Sequence, residues 1–206
     1  MHSKRMHSQR RHSPKGYSRL SKGPIILDIY KTYEHNPTHL FRNYAKYFIT
    51  GAIYEKKHLM VAPETKIAVV EYMFKSFAAQ GWQIEEWVLL NNHYHLLADA
   101  SENADVLPIL INNFHKFSAI WIKKHVPESA DAKPVFYNYW DTCIDYERSY
   151  FSRINYIWNN PVKHGYVADP KDWPWGSFIS RIKSQTEVQK IMTNFPCDRT
   201  RVYDDF

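Results

Sequence analysis

Two cysteines in 206 residues, Cys143 and Cys197, have no pair-like spacing, so neither a disulfide framework nor a thiolate zinc site is expected. Glycine is almost as scarce. The six glycines are scattered, and none opens a Gly-rich turn between strand and helix, which argues against a Rossmann-like or P-loop nucleotide site. No apolar run approaches the roughly 20 residues that a membrane-spanning helix needs. The basic start is not followed by the apolar segment of a signal peptide. These absences point to a cytoplasmic protein in a reducing compartment, with no membrane partner. Acidic residues are missing from positions 1–23, which hold Lys4, Arg5, Arg10, Arg11, Lys15, Arg19 and Lys22. The whole chain has 27 basic and 21 acidic residues, so the remainder has 20 against 21 and a net charge of −1. The basicity therefore belongs to an arm rather than to the body. An arm of this kind, without periodicity, reads as disordered and attracts phosphate backbones whatever their sequence. A solubilising leader is the alternative.

Hydrophobic residues make up 44% of the chain and aromatics 16%, enough for the core of one domain. We divide the chain into an arm (1–23), a domain (24–178) and a polar, weakly patterned tail (179–206). Within the domain, His35–His39 reads as a turn. Residues 47–54 are β-branched and aromatic and read as a strand. Pro63-Glu64 opens a helix in which Ile67, Val70, Phe74 and Phe77 recur at helical spacing. A second strand, 82–90, runs directly into a His-aromatic-His triplet. Asn103–Asp105 caps a helix carrying Leu107, Leu110, Ile111, Phe114, Phe117, Trp121 and Ile122, which stops near Val126-Pro127. Residues 135–140 read as a strand continuing to Ile144. A third helix starts at Asp145 and Glu147 and ends at Asn160-Pro161. This order predicts an α+β sandwich, one antiparallel β-sheet with packed helices.

The run from Glu86 to Leu97 carries the most chemistry. Residues i and i+2 of a strand share a face, so His93 and His95 project together while Tyr94 points the other way. Two neutral imidazoles make half of a divalent-metal site, although many such pairs are ordinary half-buried histidines. On the third helix Tyr156 and Asn160 are four apart and share a face. An amide oxygen at Asn160 would supply a third ligand, with Tyr156 one turn away. Metal-assisted cleavage of a phosphodiester needs a cation on the phosphate and an in-line nucleophile. A phenol, with a pKa of about 10, needs placement and a nearby cation to act as one. Tyr146 and Tyr150 are the competing tyrosines. Trp158 and Trp175 are candidates for stacking on bases, with core packing the better reading.

Three ordered blocks resemble a known family. Leu90-Asn91-Asn92-His93-Tyr94-His95-Leu96-Leu97, the run Tyr156–Val167, and Asp172-Trp173-Pro174-Trp175-Gly176-Ser177 are similar to segments of the single-tyrosine His-hydrophobe-His transposases, in particular the REP-associated tyrosine transposases. The segment 135–141 resembles a strand of the same family. The resemblance covers roughly residues 45–178. It implies the ferredoxin-like or RRM-like fold of the HUH endonucleases, with Tyr156 as nucleophile and His93, His95 and Asn160 as ligands of Mg²⁺ or Mn²⁺. The implied substrate is single-stranded or hairpin DNA, cleaved and rejoined through a 5′-phosphotyrosine intermediate. Lys163 and His164 match the family's basic turn and are candidate DNA contacts, as are Arg10 and Arg11 in the arm. Asn160 stands where insertion-sequence relatives usually carry Gln, and Tyr94 stands where they carry an aliphatic residue or Met. Rival readings are a non-catalytic hairpin-binding regulator and a small-molecule phosphodiesterase. The family allows a monomer or a homodimer.

Overall fold

The structure is a computed structural model that describes residues 29–31 (backbone only), 39–100, 102–181 and 184–197. The basic arm, with Arg10 and Arg11, and most of the His35–His39 turn lie outside the described residues. Strands β1 (Ile29–Lys31) and β2 (His39–Phe41) pair as a small antiparallel ribbon. The main sheet contains β3 (Lys46–Ala52), β4 (Gln83–Leu89), β5 (His93–Asp99) and β6 (Trp140–Ile144), all antiparallel, in the order β4-β5-β3-β6. Helices α1 (Pro63–Ala78) and α2 (Leu107–His125) pack on one face. Helix α3 (Glu147–Lys163) packs on the other, joined by the short α4 (Phe178–Arg181) and by α5 (Gln185–Asn194). This is the α+β sandwich the sequence implies.

Helices on both faces explain the burial of the central strands. Alternation sends Tyr47 and Ile49 toward α1 and α2, and Phe48 toward α3, into two separate hydrophobic clusters. Every residue from Tyr47 to Ala52 is buried as a result, so β3 lacks the in-out pattern of a sheet with one wet face. Tyr94 lies across Gly51 in the same register, and a Cβ at Gly51 would come within 2.4 Å of the Tyr94 hydroxyl. That hydroxyl bonds His115 Nε2 of α2 at 2.8 Å. The bulky residue between the two histidines is thus accommodated by a missing side chain opposite it and held by a polar partner.

Several expected elements are corrected. The stretch from Glu86 to Leu97 is two strands, not one. β4 ends at Leu89, the Leu90 N–H donates to the His93 carbonyl at 2.8 Å, and His93 begins β5. Residues 135–139 are not strand; they follow β3 through a bridge at Phe136 and a bond from the Tyr137 N–H to the Ala52 carbonyl. On α1 the core residues are Ala68, Val69, Met73 and Phe77, while Ile67 and Phe74 are exposed. On α2 Phe117 is exposed as well. Helix α3 does not stop at Pro161, whose missing N–H costs only one bond near the helix end. It runs to Lys163 and is stopped at Gly165, with the Tyr166 N–H on the Pro161 carbonyl (2.9 Å), the Gly165 N–H on the Val162 carbonyl (3.0 Å) and Gly165 at φ +71°. That is a Schellman motif, which places its C′ residue in the left-handed region. The described stretch 184–197 of the tail holds a helix that its composition does not announce. α5 buries Ile191 against the α3 cluster, and Asn155 Nδ2 of α3 donates to the carbonyls of Met192 (3.2 Å) and Phe195 (2.8 Å).

One buried carboxylate holds this face together. Glu86, 2% exposed, accepts from Trp158 Nε1 (2.9 Å), Ser177 Oγ (2.5 Å) and Arg181 Nε (2.8 Å). It ties α3 and the Trp173–Ser177 block to β4. That block runs along the β4 edge, with the Leu89 N–H on the Trp175 carbonyl and the Ser177 N–H on the Trp87 carbonyl, both at 2.9 Å. Trp158 is therefore core, not a base-stacking ring, and Trp175 packs partly buried against the other cluster. Among the described residues no helix is long and apolar enough to cross a membrane.

Candidate active site

Sheet register brings His93 and His95 to the face covered by α3. Ala52 pairs with His93 and Thr50 with His95, and the two rings sit 5.1 Å apart. The opposite strand places Thr50 Oγ1 at 2.8 Å from His95 Nδ1. With the proton on Nδ1, accepted by that hydroxyl, His95 Nε2 keeps its lone pair; this atom is buried and has no hydrogen-bond partner. His93 is constrained from the other side. Asn92 Nδ2 donates to the Lys56 carbonyl (3.2 Å), which orients the amide so that its Oδ1 accepts from His93 Nδ1 (2.8 Å). His93 Nε2 is then an acceptor too, and it faces Asn160 Oδ1 at 3.3 Å.

Tyr156, one turn before Asn160, packs edge-on to His95 (5.1 Å between ring centroids) and to Phe48 (6.0 Å). Lys163, two turns after Tyr156, carries its ammonium 3.4 Å from the Tyr156 hydroxyl and 5.1 Å from the ring centroid. His164 lies against His93 at 4.8 Å. All six side chains named from the sequence in this region, His93, His95, Tyr156, Asn160, Lys163 and His164, are therefore together. Arg10 and Arg11 lie outside the described residues. Tyr150 points away: its hydroxyl donates to Glu85 Oε2 at 3.1 Å, and burial together with Glu85 pushes its phenol up.

Burial sets the charge of the site. It lowers the His93 imidazole to about 3, reinforced by His164, Lys163 and His58 and opposed by the Asn160 amide oxygen, which would accept a hydrogen bond from the protonated ring. It drives His95 well below the ordinary histidine value, with His93, His164 and Lys163 acting the same way. His164 is lowered by burial and by Lys163. The imidazoles are neutral at neutral pH, the form that ligates metals. Two lone-pair nitrogens and an amide oxygen turned toward one of them make a donor set that fits a borderline-to-hard divalent cation. No group of three or more His, Cys, Asp or Glu able to hold a metal occurs among the described residues, so a cation bound here would draw on the amide as well.

Sequence reasoning missed three supporting residues. Thr50 was legible only as a polar residue in an apolar strand. Asn92 precedes His93 directly, yet nothing in the sequence shows that its amide turns onto the ring. Lys66 of α1, fully buried, donates to Asn91 Oδ1 (2.7 Å) and to the Val61 carbonyl (2.9 Å), fixing the turn from which His93 emerges.

The family model described as "Transposase IS200 like" matches residues 43–160, more than half of the chain, from just before β3 to Asn160. The REP-associated tyrosine transposase of Escherichia coli (strain K12) is 26% identical over 144 residues, covering 66% of this chain and 81% of that protein. A putative REP-associated tyrosine transposase of Haemophilus influenzae (strain ATCC 51907 / DSM 11121 / KW20 / Rd) is 26% identical over 171 residues, 69% of this chain and 89% of that protein. A solved structure of a REP-associated tyrosine transposase bound to a REP hairpin superposes with a TM-score of 0.57 at 20% identity, over 85% of this chain and 94% of that one. That likeness is one of fold.

Proposed function

The chain belongs to the IS200-like transposase family, and from that premise we propose that it is a single-strand DNA transesterase acting beside DNA hairpins. The observation that carries the reading is the meeting of the His93, His95 and Asn160 donor atoms with the Tyr156 phenol and the Lys163 ammonium on one face of the sheet. Similarity to the REP-associated enzymes, one of which is solved with a REP hairpin, supports hairpin DNA as the substrate class.

In this mechanism His93, His95 and Asn160 would hold Mg²⁺ or Mn²⁺. A bound cation of that kind supplies Lewis-acid polarisation of the scissile phosphate. Tyr156 loses its phenolic proton to solvent, and the Lys163 ammonium beside the oxygen stabilises the negative charge left there. The Tyr156 oxygen attacks phosphorus, the bond from phosphorus to the 3′ oxygen breaks, and that oxygen takes a proton from water. The products are a 5′-phosphotyrosine ester and a free 3′-hydroxyl. Attack of a 3′-hydroxyl on the ester reverses the step and rejoins DNA with no external energy source.

One observation favours a second reading. Tyr156 is only 4% exposed, His93 1% and His95 0%, an enclosure that suits a hairpin-binding regulator without catalysis. Covalent trapping separates the two. End-labelled hairpin DNA with a single-stranded flank, incubated with Mn²⁺ and the full chain, yields a denaturation-resistant adduct between the protein and the 5′ end of the fragment downstream of the break if the transesterase reading holds. Tight binding without adduct or cleavage supports the regulator.

A further inference from the structure

Three aromatic rings extend from the site along the edge of the sheet. Trp140 opens β6 and pairs with Thr50, which itself pairs with His95, so its side chain rises from the same face as His95. Two strand spacings, about 10 Å, separate them. Tyr137 stacks on Trp140 (centroids 5.7 Å, planes 24° apart), and Tyr54 stacks on Tyr137 (6.0 Å, 25°). Tyr137 is 47% exposed, and Tyr54 and Trp140 are half-buried. None of the three belongs to either hydrophobic cluster, so core packing does not account for them. Their backbone is pinned: the Tyr54 N–H donates to the Val135 carbonyl and the Tyr137 N–H to the Ala52 carbonyl, both at 2.8 Å.

The turn beyond Tyr54 adds positive charge. Lys56 and Lys57 are exposed, with Lys57 paired to Glu55 at 3.0 Å. Glu55 and Lys56 hold φ of 56° and 58°, a left-handed conformation that is costly for residues other than glycine and persists where the surroundings impose it. The imposing contact leads to the active site, since the Lys56 carbonyl is bound by Asn92, whose other end holds His93.

We propose that Tyr54, Tyr137 and Trp140 form a stacking platform for unpaired bases of the DNA strand adjoining the scissile phosphate, with Lys56 and Lys57 beside its backbone. The proposal rests on the transesterase reading above and names where the single strand lies. Near-parallel ring faces suit single-stranded DNA, because duplex bases are already stacked on each other, and aromatic platforms with flanking cations are the usual means of holding such strands.

The test compares two probes, one hairpin with a single-stranded flank and the same hairpin without it, by fluorescence anisotropy. Tyr137→Ala is expected to lose roughly tenfold in affinity for the flanked hairpin, the scale of one lost stacked base, and to bind the bare stem as the wild type does. Tyr137→Phe restores the flanked affinity, and Trp140 fluorescence is quenched by the flanked probe only. An equal loss on both probes, or no loss on either, overturns the platform. The wild-type adduct is read in parallel: flank-dependent affinity without any adduct sinks the transesterase reading while the platform stands, and an adduct with no flank dependence does the reverse.

Discussion

His93 Nε2, from the first residue of β5, and Asn160 Oδ1, from the last turns of α3, face each other at 3.3 Å. With the His93 proton held on Nδ1 by Asn92, both facing atoms are acceptors, an arrangement that a cation relieves. Mn²⁺ is therefore expected to raise the thermal midpoint of the wild type. At a concentration of about 100 times the dissociation constant the gain is about 2.7 kcal/mol. His93→Ala and Asn160→Ala are expected to melt at nearly the same temperature with and without Mn²⁺ while keeping a folded circular-dichroism spectrum. A full Mn²⁺ shift in Asn160→Ala would remove the amide from the ligand set.

Asn92 is a positioning residue, since it acts through His93. Asn92→Ala frees the ring to change tautomer and is expected to weaken Mn²⁺ binding by about 10–100-fold, the usual effect of losing such a partner. Asn92→Asp, which keeps the accepting oxygen, should recover most of that affinity. Calorimetric titration with Mn²⁺ measures both, and equal affinities for Asn92→Ala and wild type would leave the amide without this role.

Gly165 carries the α3 stop that sets Lys163 and His164 over the site. A Cβ there meets nothing within 4 Å, so substitution strains only the backbone at φ +71°. Gly165→Ala is expected to cost about 1–2 kcal/mol, the left-handed penalty of an L-residue. Urea denaturation reads the change, and a neutral or stabilising result would mean that the helix end had rearranged.

His115 gives the fold a pH dependence separate from the proposed metal ligands, because it lies on the opposite face. Burial lowers its imidazole from the ordinary 6.5 to about 3. As pH falls below 6.5 the unfolded chain takes up a proton there that the folded chain refuses. Stability is therefore expected to fall between pH 6.5 and 3, by up to about 1.4 kcal/mol per pH unit from this group. His115→Gln, which retains a partner for the Tyr94 hydroxyl, should flatten the slope by one proton. An unchanged slope, measured by urea melts at several pH values, would show that His115 is charged in the folded state.

The α+β class and the grouping of the candidate side chains were legible in the sequence; several element bounds and supporting contacts were not. His93 and His95 were readable because strand geometry makes i and i+2 share a face, and Tyr156 and Asn160 because helix geometry does the same at i+4. The turn at Leu90–Asn92 was not, because it lies between apolar strands and contains no glycine or proline to mark it. Pro161 looked like a helix end since proline breaks helices, but near a C-terminus the lost bond is cheap and Gly165 decides the stop. Ile67 and Phe74 fitted the helical period as well as Val69 and Met73 do; only the position of the sheet determines which stripe is buried. Glu86 could not be read as an anchor, since its three partners come from 72 to 95 residues away.

The central claim is that the Tyr156 hydroxyl forms the bond to DNA, and Tyr156→Phe isolates it, removing one oxygen while keeping the ring that packs against His95 and Phe48. The measurement is the yield of denaturation-resistant adduct from a flanked hairpin in Mn²⁺, alongside the affinity for the same DNA. The expected result is no adduct from Tyr156→Phe and an affinity within a few-fold of wild type. Adduct from Tyr156→Phe at the wild-type yield would contradict the account and move the nucleophile to another tyrosine.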